Sequence, residues 1–480
     1  MKKYLLHIIL ILPFIGIGQI SWQNSFFKSY GGPGNDFGEA VVSTIDTFYV
    51  GIGASESFGN GTTDLYVFKV DTIGEYVWSK TFGGPNIDYG TDIVELADGS
   101  FILAGYSNSF SLGYDYFLVK ILSDGTHQWT KTIGGSDWDL CYAVYETINS
   151  SSGLILAGET YSYGNGKNDA YLLKTDLNGD TLWTKTFGGS GNDTFNDVIE
   201  DDFGNLICIG TTNSNTSYLD NDIWIVKTDS NGNELWNYVW SDTLNDEGVS
   251  ICLAKNGNYN FAGNNQQEDR VAPYYASLDT AGSLIFSKNF NGTVDDFSAT
   301  LLRHKDSITY TIVCNTFSYG ALNNTSDILY SQLIGTFTIS GLLGTSGTAF
   351  NEWSNGADTT ADHSIIIIGS TDGTINGQSS AFLMKKDTTY YSPSFTEEID
   401  LTINENIKRK IHLYPNPVLN ETNLATNSPV EEIYIFNSLG KLILNKKISG
   451  NLLNVETLKP GIYFLKTKLN EGESMPFIKL

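Results

Sequence analysis

Short apolar strands recur along most of this chain at intervals of about fifty residues. One interval holds an apolar strand that ends in Trp or Phe, a Gly-Gly turn, an acidic residue four positions after the second glycine, and two more apolar strands. The pattern is clearest from Trp78 to Asp88 and returns at 129–139 and 183–193. Because a unit of four short strands cannot bury its own apolar faces, this period predicts a radial or solenoid array.

We name the strands of each unit A to D in chain order. Strand A follows the acid, strand B is apolar throughout, as in 101–104, strand C ends in Lys, as in 64–69, and strand D carries the Trp. A strand that is apolar on both faces suits burial between adjoining sheets. Strand D alternates apolar and polar positions, as in 128–133, which is typical of a half-exposed outer strand.

Two register marks give seven copies of the unit. The first is the acid that precedes strand A, at Asp36, Asp88, Asp139, Asp193, Asp246, Asp296 and Glu352. The second is the small residue that ends strand B, at Gly53, Gly105, Gly158, Gly210, Gly263, Cys314 and Gly369. Seven four-stranded sheets around one axis predict an all-β fold, a seven-bladed β-propeller, spanning residues 19–388.

The two ends of the repeat array are incomplete in complementary ways. The segment 21–32 reads as a strand D with no A, B or C before it, and the last unit, 351–387, has A, B and C but no D. We therefore expect the N-terminal strand to complete the seventh blade and close the ring.

The N-terminus predicts export. Lys2 and Lys3 precede an apolar run over 4–17, and the small residues Gly16 and Gly18 then mark a cleavage site, so residues 1–18 are predicted to be a signal peptide. No later stretch approaches the length of a membrane-spanning helix. We expect a mature protein that is exported and has no transmembrane segment.

Charge narrows the class of partner. The chain has 54 acidic and 28 basic residues, a formal net charge of -26, which makes nucleic acids and anionic membranes poor partners. Its four cysteines, Cys141, Cys208, Cys252 and Cys314, form no Cys-x-x-Cys pair, and no metal or cofactor is predicted. Buried free thiols are expected, with a Cys141–Cys208 bridge as the open alternative.

The repeats resemble the SBBP family of β-propeller repeats. The resemblance rests on the strings at 187–193, Phe-Gly-Gly-Ser-Gly-Asn-Asp, and 205–212, Asn-Leu-Ile-Cys-Ile-Gly-Thr-Thr. It covers roughly residues 20–388 and is clear in the first four units. The family implies a fold and no single activity.

A different segment follows the repeats. Residues 389–410 lose the period and end in a basic run, and they are predicted to be a linker. Residues 411–480 hold alternating strands with Gly and Pro turns, which predict a small C-terminal β-sandwich of the immunoglobulin-like kind.

This last segment resembles the type A C-terminal sorting domain of the type IX secretion system of Bacteroidetes. The resemblance is carried by Tyr414, Pro415, Asn416, Pro417, Gly440, Pro460, Gly461 and Lys479. It implies passage through the periplasm, recognition by the secretion machinery at the outer membrane, and release or attachment at the cell surface.

No catalytic constellation emerges from the sequence. His127, His304 and His363 fall in predicted turns of different units, without a matching nucleophile, and are expected at the surface. The register acids are expected to bond nearby backbone amides rather than to form a functional ring.

The loops between strands B and C share a face with the Gly-Gly turns, and we expect function there. Four of these loops place an aromatic residue after a serine, and these are the candidate ligand-binding residues: Phe58, Phe110, Tyr163 and Tyr319. Their rings can stack on a sugar or peptide, or can pack under their own loops.

Two functions remain open at this point. The favoured one is a secreted or surface propeller that is not an enzyme and binds a glycan or protein, or serves as a scaffold. The alternative is an extracellular hydrolase or lyase that acts on polysaccharide at the mouth of the propeller channel.

Overall fold

Within the described residues, thirty-five β-strands form the regular structure and no α-helix occurs. The structure is a computed structural model, and it describes residues 25–149, 152–214, 220–241, 243–290, 292–304, 309–318, 325–334, 338–348, 350–373, 378–386, 411–414, 421–426, 432–437, 441–447, 452–459, 461–467 and 475–479. The signal peptide and linker predicted above lie outside these ranges. The chain divides into two compact units, Met1–Phe395 and Thr396–Leu480.

The first unit consists of seven antiparallel four-stranded sheets. The first described strand, β1, is Phe26–Tyr30. Blades 1 to 3 follow, four strands each: β2 Asp36–Ser43, β3 Tyr49–Ser55, β4 Asp64–Val70 and β5 Tyr76–Phe82; β6 Asp88–Glu95, β7 Phe101–Ser107, β8 Asp115–Ile121 and β9 His127–Ile133; β10 Asp139–Thr147, β11 Gly153–Thr160, β12 Asp169–Thr175 and β13 Thr181–Phe187.

Blades 4 to 7 continue the same order of strands. They comprise β14 Asp193–Glu200, β15 Leu206–Thr212, β16 Asp222–Thr228 and β17 Glu234–Trp240; β18 Asp246–Leu253, β19 Tyr259–Gln266, β20 Val271–Leu278 and β21 Leu284–Asn289; β22 Asp296–Arg303, β23 Thr309–Thr316, β24 Asp327–Ile334 and β25 Thr338–Ser346; and β26 Glu352–Thr359, β27 Ile365–Thr371 and β28 Ser380–Lys386. The fold is the seven-bladed β-propeller that the register marks predict.

β1 is the outer strand of the seventh blade. It pairs antiparallel with β28 over five positions, from Phe26 opposite Lys385 to Tyr30 opposite Ala381. The buried Tyr30 donates its hydroxyl to the Gly74 carbonyl of blade 1 at 2.8 Å. The start of the repeat array is therefore bonded to its end and to its first blade.

Burial follows the strand order within each blade. Strands B and C are buried on both faces, as in β3 and β4, where every residue is buried. Strand D alternates between exposed and half-buried positions, as in β13. This is the pattern of inner strands covered by neighbouring sheets and an outer strand that faces solvent.

The apolar core lies between the blades. Seven clusters of buried side chains occur in the propeller, and each joins residues of two adjacent blades. Between blades 1 and 2, for example, Ile52 and Val67 pack with Phe101 and Phe117. A blade therefore completes its core only with its neighbours.

The register acids connect the turns between blades to the loops. Asp88 is fully buried, and its Oδ2 accepts the Gly84 N–H at 2.7 Å and the Ser109 hydroxyl at 2.7 Å. Ser107 donates to the other oxygen. Gly84 lies in the turn between blades 1 and 2, and Ser109 in the B–C loop of blade 2, so one carboxylate holds both segments.

The glycine that ends strand B is required by a bulge in strand A. In blade 2, the pairing of β6 with β7 shifts between Gly90 and Asp92, and the Tyr89 carbonyl oxygen approaches Gly105. A Cβ at Gly105 would lie 1.8 Å from that oxygen. The second register mark therefore reports a close backbone approach.

The second unit is a small β domain of two sheets. Its strands are β29 Ile411–Tyr414, β30 Glu421–Thr426, β31 Glu432–Asn437, β32 Leu442–Lys447, β33 Leu452–Asn454, β34 Gly461–Thr467 and β35 Met475–Lys479. One sheet has the order β29-β30-β33 and the other β32-β31-β34-β35. Ile435 of the second sheet and Leu453 of the first belong to one buried cluster, so the two sheets share a core.

Removal of the N-terminal strand should disrupt the propeller. A truncated form that starts after Gly32 loses the five paired positions of β1 and the buried Tyr30. At roughly 1 kcal/mol for each ladder hydrogen bond, plus the lost burial, this approaches the net stability of a typical domain. We expect aggregation or a large fall in melting temperature, compared with a form that starts at Ser25. An unchanged melting temperature would show that the ring does not need this strand.

The register acid should be worth more than an exposed acid. Replacing Asp88 by Ala leaves a backbone N–H and two hydroxyl groups without their charged acceptor, so we expect a loss of about 3 kcal/mol in urea unfolding. Asp124→Ala, in an exposed turn of the same blade, is the matched control, and we expect it to lose much less stability. Equal losses in the two variants would contradict the structural role of Asp88.

Candidate functional site

The bulges of strand A determine which side chains line the central channel. Each strand A has its bulge at the third residue after the register acid, and these residues are Glu39, Thr91, Tyr142, Asn196, Val249, Ala299 and Asn355. All seven line a channel cavity of about 180 Å³. A bulge re-aims the side chain of its extra residue, and here the repeated bulge places one side chain per blade in the channel.

A larger cavity, of about 660 Å³, lies where strands A begin and strands B end in blades 3 to 6. This is the face of the Gly-Gly turns and the B–C loops. Amide side chains dominate its lining, and they are Asn192, Asn196, Asn221, Asn245, Asn264 and Gln266. Amides offer both donors and acceptors to a bound molecule. We call this space the mouth cavity.

Glu159 is held in the wall of the mouth cavity by three donors. Its Oε1 accepts the Tyr142 hydroxyl at 3.0 Å, and its Oε2 accepts the Asn168 amide at 2.5 Å and the Thr194 hydroxyl at 2.9 Å. The side chain is 8% exposed. Burial, with the nearby Glu159 charge, raises the pKa of Tyr142, so that hydroxyl stays a donor.

Other polar groups of the mouth cavity are oriented by the fold. The Asn196 amide donates to the Gly248 carbonyl at 2.8 Å, which ties blade 4 to blade 5. The Thr211 hydroxyl is buried against the cavity and has no hydrogen-bond partner among the residues that the structure describes. A buried hydroxyl without a partner is costly.

Aromatic side chains run from blade 1 to the mouth cavity. Each ring contacts the next with centroids 5.4 to 6.4 Å apart, in the order Phe37, Tyr89, Tyr106, Tyr114, Trp138, Tyr161. Trp138 and Tyr161 are 49% and 42% exposed. We call this row the aromatic belt.

The aromatic belt and the mouth cavity are continuous. Tyr161 follows the cavity residue Glu159 by two positions, and its N–H donates to the Trp138 carbonyl at 2.7 Å. Tyr142, which also lines the cavity, donates its hydroxyl to Glu159 at 3.0 Å. On the opposite side of the cavity, the ring of the lining residue Phe297 packs on the exposed Trp353, with the ring centroids 6.1 Å apart. Aromatic faces therefore flank a polar cavity on two sides.

The aromatic residues singled out in the sequence occupy separate blades. Phe58, Phe110 and Tyr163 are 41%, 55% and 45% exposed. Each ring also packs on an aromatic residue of strand C in its own blade, at 5.6 to 5.8 Å: Tyr66, Phe117 and Tyr171. Tyr319 lies outside the described residues. Ligand contact by these four residues stays a prediction.

Half-buried carboxylates lie beside the channel, deeper than the mouth cavity. Asp92 accepts the Val144 N–H of blade 3 at 2.8 Å, and Asp197 accepts the Ile251 N–H of blade 5 at 2.9 Å. Burial raises the pKa of Asp92 to about 7 and that of Asp197 to about 6. It also raises the pKa of Glu39 to about 7, against the hydrogen bond that Tyr89 donates.

Thiols and histidines take no part in this site. All four cysteines are free thiols, and Cys141 and Cys208 belong to different core clusters, so the alternative of a bridge between them does not hold. His127 is the first residue of β9 rather than a turn residue. His304, expected at the surface, is 5% exposed and its Nε2 lies 2.7 Å from the Thr311 hydroxyl.

No three His, Cys, Asp or Glu side chains of the described ranges cluster as metal ligands. Nor does any helix in those ranges have the length and apolar character needed to cross a membrane.

The aromatic belt and the mouth cavity were missed from the sequence because their residues come from different blades. The available signal was the position one residue after each register acid. It reads Phe37, Tyr89, Leu140, Thr194, Glu247, Phe297 and Trp353. This position therefore holds an aromatic residue in blades 6, 7, 1 and 2, and a polar residue in blades 4 and 5.

The C-terminal unit matches a known family. Residues 412–478 fit the family described as a secretion system C-terminal sorting domain. This segment is thus similar to the C-terminal sorting domains of the type IX secretion system. The sorting domain implies contact with the secretion machinery, and the chain is exported to the cell surface or secreted.

Of the motif residues in the sorting domain, Tyr414 ends β29, and Gly461 of β34 pairs with Lys479 of β35. The others, Pro415, Asn416, Pro417, Gly440 and Pro460, lie outside the described residues.

Similarities to other proteins are more distant. The chain is 26% identical over 185 residues to the regulatory protein FlaEY of Caulobacter vibrioides, which covers 33% of this chain and 19% of that protein. It therefore spans about a fifth of the length of that curated relative.

Two solved structures are similar at 11% identity. The extracellular domain of a hybrid two-component system from B. thetaiotaomicron has a TM-score of 0.43, covering 95% of this chain and 60% of that one. PorZ, a surface component of the type IX secretion system of Porphyromonas gingivalis, has a TM-score of 0.34, covering 90% and 68%.

The raised pKa values of the carboxylates beside the channel determine how the folding stability depends on pH. The pKa of Asp92 is raised in the folded state, so between about pH 4 and pH 7 the folded state binds more protons than the unfolded state. The contribution of Asp92 to stability therefore falls as pH rises through this window. Asp197 acts in the same direction.

We expect Asp92→Asn to gain stability relative to the parent protein between about pH 5 and pH 8, by up to about 3 kcal/mol. Urea unfolding at the two pH values measures the difference. Asp124→Asn, which changes an exposed turn carboxylate, should follow the parent protein over the same range. The same pH dependence in Asp92→Asn and the parent would contradict the raised pKa.

Proposed function

We propose that the propeller is a non-catalytic carbohydrate-binding module that acts outside the cell after export by its sorting domain. The observation that carries this proposal is the junction of the aromatic belt with the mouth cavity. Sugar rings have apolar C–H faces, which stack on exposed aromatic rings, and hydroxyl groups around their edge, which bond amides and carboxylates. The two parts of the site supply these two kinds of contact side by side.

The dimensions of the site also suit an oligosaccharide. Small-molecule sites measure about 300 to 1,000 Å³, and the mouth cavity is about 660 Å³. The six amide side chains of the lining offer a ligand both hydrogen-bond donors and acceptors. The aromatic belt extends the contact surface across blades 1 to 3, as a chain of several sugars would need.

The hydrolase alternative has less support from this geometry. Of the two Glu residues that line the mouth cavity, Glu159 is the more buried. A general acid needs a carboxyl group that can exchange a proton with the substrate. Both oxygens of Glu159 are engaged by protein donors. This role is structural, and it favours a binding site over a catalytic one.

Stacking on the aromatic belt can be tested with neutral oligosaccharides of β-glucan, α-glucan and mannan type, using the full exported chain and calorimetry. We expect at least one class to bind without release of shorter products. Trp138→Ala and Tyr161→Ala should each weaken binding about tenfold, since each removes a half-exposed stacking face.

One control variant and one further variant separate the aromatic belt from other exposed aromatic residues. Phe203→Ala removes an 83% exposed ring from the turn between strands A and B of blade 4, away from the mouth, and should leave affinity unchanged. Phe110→Ala tests the residues predicted from the B–C loops. Release of shorter sugars, or equal effects of Phe203→Ala and Trp138→Ala, would contradict the proposal.

A further inference from the structure

The mouth cavity carries negative charge only. Three of its lining residues are acidic, Glu159, Asp246 and Glu247, and none of its lining residues is basic. The formal net charge of the chain, -26, has the same sign. A cleft lined by one sign of charge concentrates ligands of the opposite sign and repels those of its own.

Two of these acids are already engaged by the protein. Both oxygens of Glu159 accept hydrogen bonds from Tyr142, Asn168 and Thr194. Asp246 is 2% exposed, and its Oδ1 accepts the Asn265 amide at 2.8 Å and the Gln266 N–H at 3.1 Å. Neither residue is well placed to bond a ligand.

Glu247 is different. It follows the register acid in blade 5, is exposed, and lines the mouth cavity. Its Oε2 accepts a hydrogen bond from the side-chain nitrogen of Asn264 at 3.1 Å. The side-chain oxygen of Asn264, Oδ1, in turn accepts the Ser298 N–H at 2.7 Å. Within the described ranges no donor bonds Oε1 of Glu247. The carboxylate is therefore oriented from one side and open to a ligand on the other.

We propose that Glu247 sets the charge class of the ligand, so that the mouth cavity accepts amino-substituted and neutral glycans and rejects acidic ones. This inference rests on the proposed function. A protonated amine on a sugar would form a charge-assisted hydrogen bond with the open oxygen of Glu247. A uronate or sulfate in the same place would meet a like charge, with no basic side chain in the lining to offset the repulsion.

The test uses three oligosaccharides of equal length at about pH 6: a glucosamine oligomer, its N-acetylated form and a glucuronate oligomer. For the full exported chain we expect the glucosamine oligomer to bind most tightly and to weaken with added salt. The N-acetylated oligomer should bind with little salt dependence, and the glucuronate oligomer should not bind.

Substitutions at Glu247 assign the effect. Glu247→Gln keeps an acceptor for Asn264 and removes the charge, so glucosamine binding should weaken roughly fivefold, to the level of the N-acetylated oligomer, whose own affinity should change less than twofold. Glu247→Lys should favour the glucuronate oligomer. Glu234→Lys makes the same charge change at the start of β17, near the turn from strand C, and should alter none of the three affinities.

The outcomes separate the two proposals. If neither the three oligomers nor the neutral oligosaccharides bind, the proposed function fails. It also fails if a sugar binds but Trp138→Ala leaves its affinity unchanged. If sugars bind but the glucuronate oligomer binds as well as the others, or Glu247→Gln behaves like the parent protein with an unchanged melting temperature, the inference about Glu247 fails and the proposed function stands.

Discussion

The apolar contact between neighbouring blades is the interaction on which this structure depends. Strands B and C are buried on both faces, and every apolar cluster of the propeller joins two blades. A single blade would leave both of these faces in water, so stability belongs to the ring and not to its members. The contact between blades 7 and 1 also includes Tyr30 of β1, which shares a sheet with β28. Closure of the ring is thus part of the hydrophobic core.

The repeat assigns different tasks to different positions of strand A. The register acid is buried and bonds the turn and loop around it, as Asp88 does. The bulge falls at the third residue after the acid, and beside it the backbone of strand A approaches a glycine such as Gly105. The residues one and three positions after the acid point to the mouth or the channel, where the blade needs no particular side chain.

This division explains what the sequence could predict. The number of blades and the assignment of strands followed from the acid and glycine marks, because carboxylate bonding and close backbone approach leave little choice of residue. The site could not be found in the same way. Tyr142 and Glu159 of blade 3 and Glu247 of blade 5 are far apart in the chain, and only the closed ring brings them around one cavity. The reasoning within single loops, which led to Phe58 and Phe110, had no access to contacts between loops.

The asymmetry of the mouth is itself an argument for a ligand. The backbone at the first position after the register acid repeats in every blade, so folding alone would favour the same kind of side chain at each copy. The chain instead has Phe297, Trp353 and Tyr89 on one side and Thr194 and Glu247 on the other. A sevenfold scaffold has no internal need for this difference. A bound molecule that is apolar on its faces and polar at its edge does need it, and a sugar chain has that form.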